Sequence, residues 1–240
     1  MAEQTTTKIG FVTPISSNSR HFEPFKAFIP AHVRMDFEGL GIVRGPLESL
    51  RGTADLVVET SARLTAERGW QGVIVSGAPV EVLNPGLLLR LQESLDVPVT
   101  TALESCVEAL RAFSARRVLL LTPFVESMNV LIRDYLAASG VEALSPLDTF
   151  NDYTDAMKAE PDEVYALTRK AFEAQSDVDA IYFQGAVLDP LKVLDRLEND
   201  LKKPIVASNP AMLWRILSQV RVSCSIPGHG QLLREWPATV

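Results

Sequence analysis

The chain repeats itself, and that repeat limits the folds open to it more than any other feature. KIGFVTP (Lys8 to Pro14) returns as RVLLLTP (Arg117 to Pro123), GVIVSGAP (Gly72 to Pro79) as AIYFQGAV (Ala180 to Val187), and DVPVTTA (Asp96 to Ala102) as KKPIVASN (Lys202 to Asn209). The order is the same in both halves. A first apolar run ends in Thr-Pro, a second ends in a small-residue Gly-Ala turn, and a third follows a proline and leads into a helical stretch. Two similar lobes related by a pseudo-two-fold are expected, with the strand ends of both facing one cleft.

Six runs have the length and apolar continuity of buried parallel strands: Ile9 to Thr13, Gly72 to Ser76, Val97 to Thr100, Arg117 to Thr122, Asp179 to Gln184 and Pro204 to Ser208. Helical spacing fills the intervals at Leu47 to Arg68, Pro85 to Leu95, Leu103 to Phe113, Ser127 to Ser139, Pro161 to Gln175, Leu188 to Leu201 and Ala211 to Val220. Alternation of this kind predicts an α/β fold in which helices flank short parallel sheets. The first lobe is placed at residues 8–114 and the second at 115–220, with the tail 221–240 returning to the first.

The net charge of -7 and the absence of a face-sized Lys/Arg cluster exclude a nucleic-acid footprint. No apolar run approaches the roughly 20 residues of a membrane span, and MAEQTTTKIG has no basic stretch leading into an apolar one, so no membrane partner and a cytoplasmic location are expected. Two cysteines, Cys106 and Cys224, support neither a disulfide framework nor a metal cluster. His21, His32 and His229 lack ligand spacing, and no metal is expected. Neither GxGxxG nor GxxxxGK[ST] occurs, which disfavours dinucleotides and nucleoside triphosphates; no cofactor is expected.

Ligands of open parallel sheets bind beyond the carboxyl ends of the strands, near helix N-termini with free N–H groups. That rule selects Pro14, Ser17 and Asn18 after the first strand, Ser76, Gly77 and Ala78 after the second, and Thr122 and Phe124 after the fourth. It also selects Gln184, Gly185 and Ala186 after the fifth strand, and Ser208 and Asn209 after the sixth. These turns are small, polar and uncharged, suited to holding a small organic anion through backbone and hydroxyl or amide donors. Helix capping and turn formation account for the same residue types equally well.

The loop P-x-S-S-N-S at Pro14 to Ser19 resembles the PSSNT loop of maleate cis-trans isomerases. LLTPFVESMN (Leu120 to Asn129) resembles their TPYxxxxN segment, which arylmalonate decarboxylases share, and VASNPAMLW (Val206 to Trp214) and IPGHGQLL (Ile226 to Leu233) resemble the last strand–helix turn and the PGYGRL tail. Over nearly its whole length the chain is similar to the aspartate/glutamate racemase superfamily, on its arylmalonate decarboxylase and maleate isomerase branch. The resemblance implies two Rossmann-like lobes, a small-carboxylate substrate and, from the family's habit, a homo-oligomer. It also implies a cysteine in each lobe acting as acid, base or nucleophile, or only the second in the decarboxylase. Those positions fall on Gly77 and Gly185.

A thiol pair is therefore not expected to do the chemistry, and racemisation by two thiols is excluded unless other groups fill their place. Cys106 lies in a helical stretch as a small buried residue, and Cys224 in a poorly patterned tail; neither is assigned. Candidates to replace the thiols are Tyr182, on the same strand face as Gln184, Glu81 and Asp189, which follow the two Gly-Ala turns symmetrically, and His229 of the tail motif. A core tyrosine and two helix-start carboxylates are the plainer readings of the first three. The expected activity is decarboxylation or cis-trans isomerisation of a small carboxylic acid without cofactor or cysteine. Alternatives are a hydrolase or lyase using water or carboxylates at the same turns, and a non-catalytic carboxylate-binding protein.

Overall fold

The computed structural model describes residues 6–146, 153–185 and 187–239. It divides into two compact units, one made of the residues up to Glu104 with Arg215–Ser223, the other of Ser105–Trp214 with the residues from Cys224 onward.

In the first unit the elements run β1 (Thr7–Thr13), α1 (Glu23–Lys26), β2 (Val33–Gly39), α2 (Ala54–Arg68), β3 (Gly72–Val75), α3 (Ala78–Val82), α4 (Leu87–Ser94) and β4 (Val99–Thr101), leading into α5 (Ala102–Ala112). The strands form one parallel sheet in the order β2-β1-β3-β4. Every residue of β3 is buried, as a central strand covered on both faces requires. Gly10 of β1 has no room for a side chain, because an added Cβ would lie 2.1 Å from the Trp70 ring. That indole donates to Asp36 Oδ2 at 3.0 Å and so ties the start of β3 to β2. Phe11, Phe22, Phe25 and Phe37 pack ring on ring, with centroids 4.9–6.1 Å apart, and hold the chain after β1 against the sheet.

The second unit continues with β5 (Arg117–Leu121), α6 (Glu126–Ala138), β6 (Glu142–Leu144), α7 (Tyr153–Ala156), α8 (Pro161–Ala174), β7 (Ala180–Phe183), α9 (Leu194–Leu201), β8 (Ile205–Ala207), α10 (Ser208–Gln219) and α11 (Gln231–Glu235). Its parallel sheet has the order β6-β5-β7-β8, the same path as in the first unit. A capping box between Glu160 and Glu163, with Pro161 at the first position, starts α8. The helices α5 and α10 each cross the division between the units.

The α/β class and the two short parallel sheets agree with the expectation, which lacked the edge strands β2 and β6. The stretch Leu47 to Arg68 breaks at Gly52 (φ +79), so α2 begins only at Ala54, and Leu188 to Leu201 becomes helical only at Leu194. The tail also differs from expectation. Gly230 N donates to Asp195 Oδ1 at 2.8 Å, Gln231 N to Glu198 Oε2 at 2.7 Å and Trp214 Nε1 to Pro237 O at 3.0 Å, so the residues from Cys224 onward pack on the second unit. It is Arg215–Ser223 that returns to the first: Arg215 pairs with Glu104 at 2.7 Å, and Ile216 lies over the backbone of Gly72. No helix among the described residues is long and apolar enough to cross a membrane.

Candidate active site

In the first unit β3 is followed by Ser76, whose N–H donates to Val12 O at 2.9 Å, and the chain turns at Gly77 with φ +96. A Cβ on Gly77 would stand 3.0 Å from Cγ of Pro14, the proline closing β1. Thus Pro14, Ser76, Gly77 and Ala78 gather at one end of this sheet. Ser17 is half-buried and Asn18 exposed, in a loop stitched by Ser19 N to Ser16 O (3.1 Å) and lying against Gly39 at the end of β2. Glu81 is buried, and both its oxygens are engaged: Oε1 accepts from Thr101 Oγ1 at 2.8 Å and Oε2 from Leu103 N at 3.0 Å. It satisfies an amide at the start of α5 from outside that helix.

The second unit repeats the turn with different surroundings. Gly185 follows β7 with φ +109, and its absent Cβ would lie 2.8 Å from Pro123 Cδ and 3.4 Å from Phe124 Cζ. Thr122 donates to Asn129 Oδ1 at 2.5 Å and accepts from Phe124 N at 3.2 Å, while Asn129 Nδ2 donates to Phe124 O at 3.0 Å. The Thr122 hydroxyl is thereby spent on shaping the Pro123–Phe124 turn. Asn129, which the sequence reading did not select, completes that ring of bonds. The hydroxyl of Tyr182, enclosed in the core, donates to Gln184 Oε1, with Cys106 Sγ 3.9 Å from the same oxygen. Ala186 lies outside the described residues.

Beside this turn is a hollow of about 210 Å³, counting its open mouth, lined by Phe183, Gly185, Leu188, Asp189, Pro190, Leu191, Ala207, Ser208, Asn209 and Pro210. Gly185, Ser208, Asn209 and Asp189 are thus brought together. Asp189 Oδ1 accepts from Leu191 N at 3.0 Å, and burial pushes its carboxyl above the usual range against that bond and the charge of Lys192. His229 does not line the hollow. It sits half-buried ahead of α11, where burial lowers its pKa and the nearby Asp195 charge opposes the shift. Burial pushes the Cys224 thiol up, and Cys106 is fully enclosed. Among the described residues no three His, Cys, Asp or Glu side chains gather as a metal site would need.

Two units share one strand order, and each turns at a positive-φ glycine packed on the proline that follows its first strand, which makes the chain a duplicated α/β protein. The arylmalonate decarboxylase family model matches residues 9–233, and the chain belongs to that family. Arylmalonate decarboxylase from Bordetella bronchiseptica is 25% identical over 259 residues, spanning 98% of this chain and 100% of that one. A solved glycine-to-cysteine mutant of arylmalonate decarboxylase with associated sulfate superposes with a TM-score of 0.79 at 24% identity, over 94% of this chain and 99% of that one. A Nocardia farcinica maleate cis-trans isomerase mutant with a covalently bound succinylcysteine intermediate gives 0.75 at 21% identity, over 95% and 98%. The expectation of an isomerase- or lyase-like enzyme of this superfamily agrees with these relatives.

Proposed function

We propose that this chain performs carbon-acid chemistry on a small carboxylic acid, in the manner of a decarboxylase or cis-trans isomerase, without a cofactor and without a cysteine at either glycine turn. The observation that carries this reading is Asp189, which shares a hollow with Gly185, Ser208 and Asn209 and whose burial favours the protonated form. An acid poised nearer neutrality than a solvated aspartate is a suitable proton donor to a carbanion or enediolate. Gln184, buried just before the turn, supports the reading as well. Its oxygen is occupied by Tyr182, which leaves the amide NH₂ as the half able to donate to a substrate carboxylate.

The two carboxylates that the sequence spaces symmetrically are not equivalent. Glu81 has both oxygens committed to Thr101 and Leu103, whereas Asp189 has one tied to Leu191 and stands in the hollow. One free acid favours chemistry with a single proton delivery, such as decarboxylation, over racemisation, which needs a partner on the opposite face. Thiol chemistry is disfavoured by the enclosure of Cys106 and the raised pKa of Cys224. The relatives' names, arylmalonate decarboxylase and maleate isomerase, supply the first substrates to try.

The test is incubation of the purified chain with phenylmalonate and with maleate near neutral pH, following CO₂ release and fumarate formation by NMR. Turnover of one of them is expected, unchanged by iodoacetamide and reduced at least about 100-fold in Asp189→Asn. Inactivity on both, inactivation by the thiol reagent with protection by substrate, or full activity of Asp189→Asn would overturn the proposal.

A further inference from the structure

We infer that the hollow at the head of α10 is a specificity subsite for a hydroxyl group carried by the acid substrate, and that Asn209 is the residue that reads it. The inference rests on the carboxylate reading above and adds a second recognition element to it. Asn209 is only 6% exposed, and its Oδ1 is enclosed without a hydrogen-bond partner among the described residues. An unmet acceptor in such a place costs about 1–3 kcal/mol, so native proteins seldom keep one unless something from outside the chain supplies the donor.

Size, charge and dipole narrow the donor. Beyond its open mouth the hollow has room for about one water-sized group, which suits a hydroxyl better than a carboxylate or carboxamide. Asp189 on its wall repels a second anion whenever it is ionised. An ammonium group would have the right size, but Ser208, Asn209 and Pro210 form the first turn of the 12-residue α10, whose positive dipole end opposes a cation. A hydroxyl remains. It donates to Asn209 Oδ1 and accepts from the Ser208 hydroxyl or from protonated Asp189, and because it does both it satisfies the Asn209 amide in either orientation. The apolar walls, Phe183, Leu188, Pro190 and Leu191, keep these bonds in a medium of low polarity, where their loss is felt most. A site built to bond a hydroxyl discriminates against the analogue lacking it.

The experiment uses the full chain and three acids that differ only in this group: propionate, lactate in both enantiomers, and 3-hydroxypropionate. Affinities are measured by isothermal titration calorimetry near neutral pH. At least one hydroxy acid is expected to bind about tenfold more tightly than propionate. Asn209→Leu should remove that advantage. Should the leucine not be accommodated, as circular dichroism would reveal, the smaller Asn209→Ala serves instead and the same loss is expected. Propionate binding as tightly as every hydroxy acid, or a hydroxyl advantage that survives the substitution, overturns the subsite and leaves the carboxylate reading standing. Failure of all three acids to bind at millimolar concentration overturns both.

Discussion

Gly185 combines a positive φ with a crowded turn. With φ +109 it occupies a region closed to ordinary side chains, and the methyl of an alanine would press on the Pro123 ring at 2.8 Å. Gly185→Ala should therefore lower stability in urea denaturation by about 2–4 kcal/mol, combining backbone strain with overpacking. Gly140→Ala is the control. Its φ is +82 but nothing lies within 4 Å of the added atom, so only the conformational cost of about 1–2 kcal/mol should appear. Equal losses at the two sites would show that the proline contact contributes nothing. The turn itself was legible in the sequence, because a glycine that stops an apolar run is a local signal. Its contact with Pro123 was not, since 62 positions separate the two residues. The same limit applies to Glu81 and Asp189, each four residues beyond its glycine. Glu81 is fixed by Thr101 and Leu103, which no pattern around position 81 announces.

At the scale of elements, α9 holds two others through Glu198. Oε1 accepts from Ile205 N at the head of β8 (3.0 Å), and Oε2 accepts from Gln231 N at the head of α11 (2.7 Å). Burial pushes the carboxyl from its ordinary 4.5 to about 7; the two amide bonds and Arg234 oppose the rise, and Asp195 adds to it. A value raised by folding means the folded chain holds the proton more tightly than the unfolded one. The contribution is whole below about pH 4.5 and is lost as the pH climbs through about 7. Asp189, also raised, acts in the same sense, whereas Asp36 and Asp179, held below their ordinary value, matter only in more acid solution. Urea denaturation should find the native chain roughly 1–2 kcal/mol less stable at about pH 7.5 than at about pH 5, after allowance for the partial exposure of Glu198. Glu198→Gln should flatten that difference, and an unchanged pH dependence in the variant would remove Glu198 from the account. The central strands were readable as unbroken apolar runs. The edges were harder: β2 alternates Val33, Met35 and Phe37 with Arg34, Asp36 and Glu38, and β6 has only three residues, so neither looks like a buried strand.

For the whole molecule, the repeat in the sequence returned as two sheets with the same strand order. What the repeat could not convey was the exchange of segments near the end of the chain. Arg215–Ser223 belongs to the first unit through the Arg215–Glu104 pair and the packing of Ile216 over Gly72, contacts that join positions more than 100 residues apart. A fragment of residues 8–114 lacks these partners. It should show poorly dispersed NMR signals and no cooperative unfolding, and a cooperative, well-dispersed fragment would mean that the returning segment is dispensable. For the growing polypeptide the same arrangement imposes a delay. The span from Glu104 to Arg215 is about 110 residues, which at roughly 5–20 residues per second takes about 5–20 s to synthesise. Through that interval the earlier half lacks the segment that pairs with Glu104 and covers Gly72, so the first unit cannot be completed until Arg215–Ser223 has been synthesised.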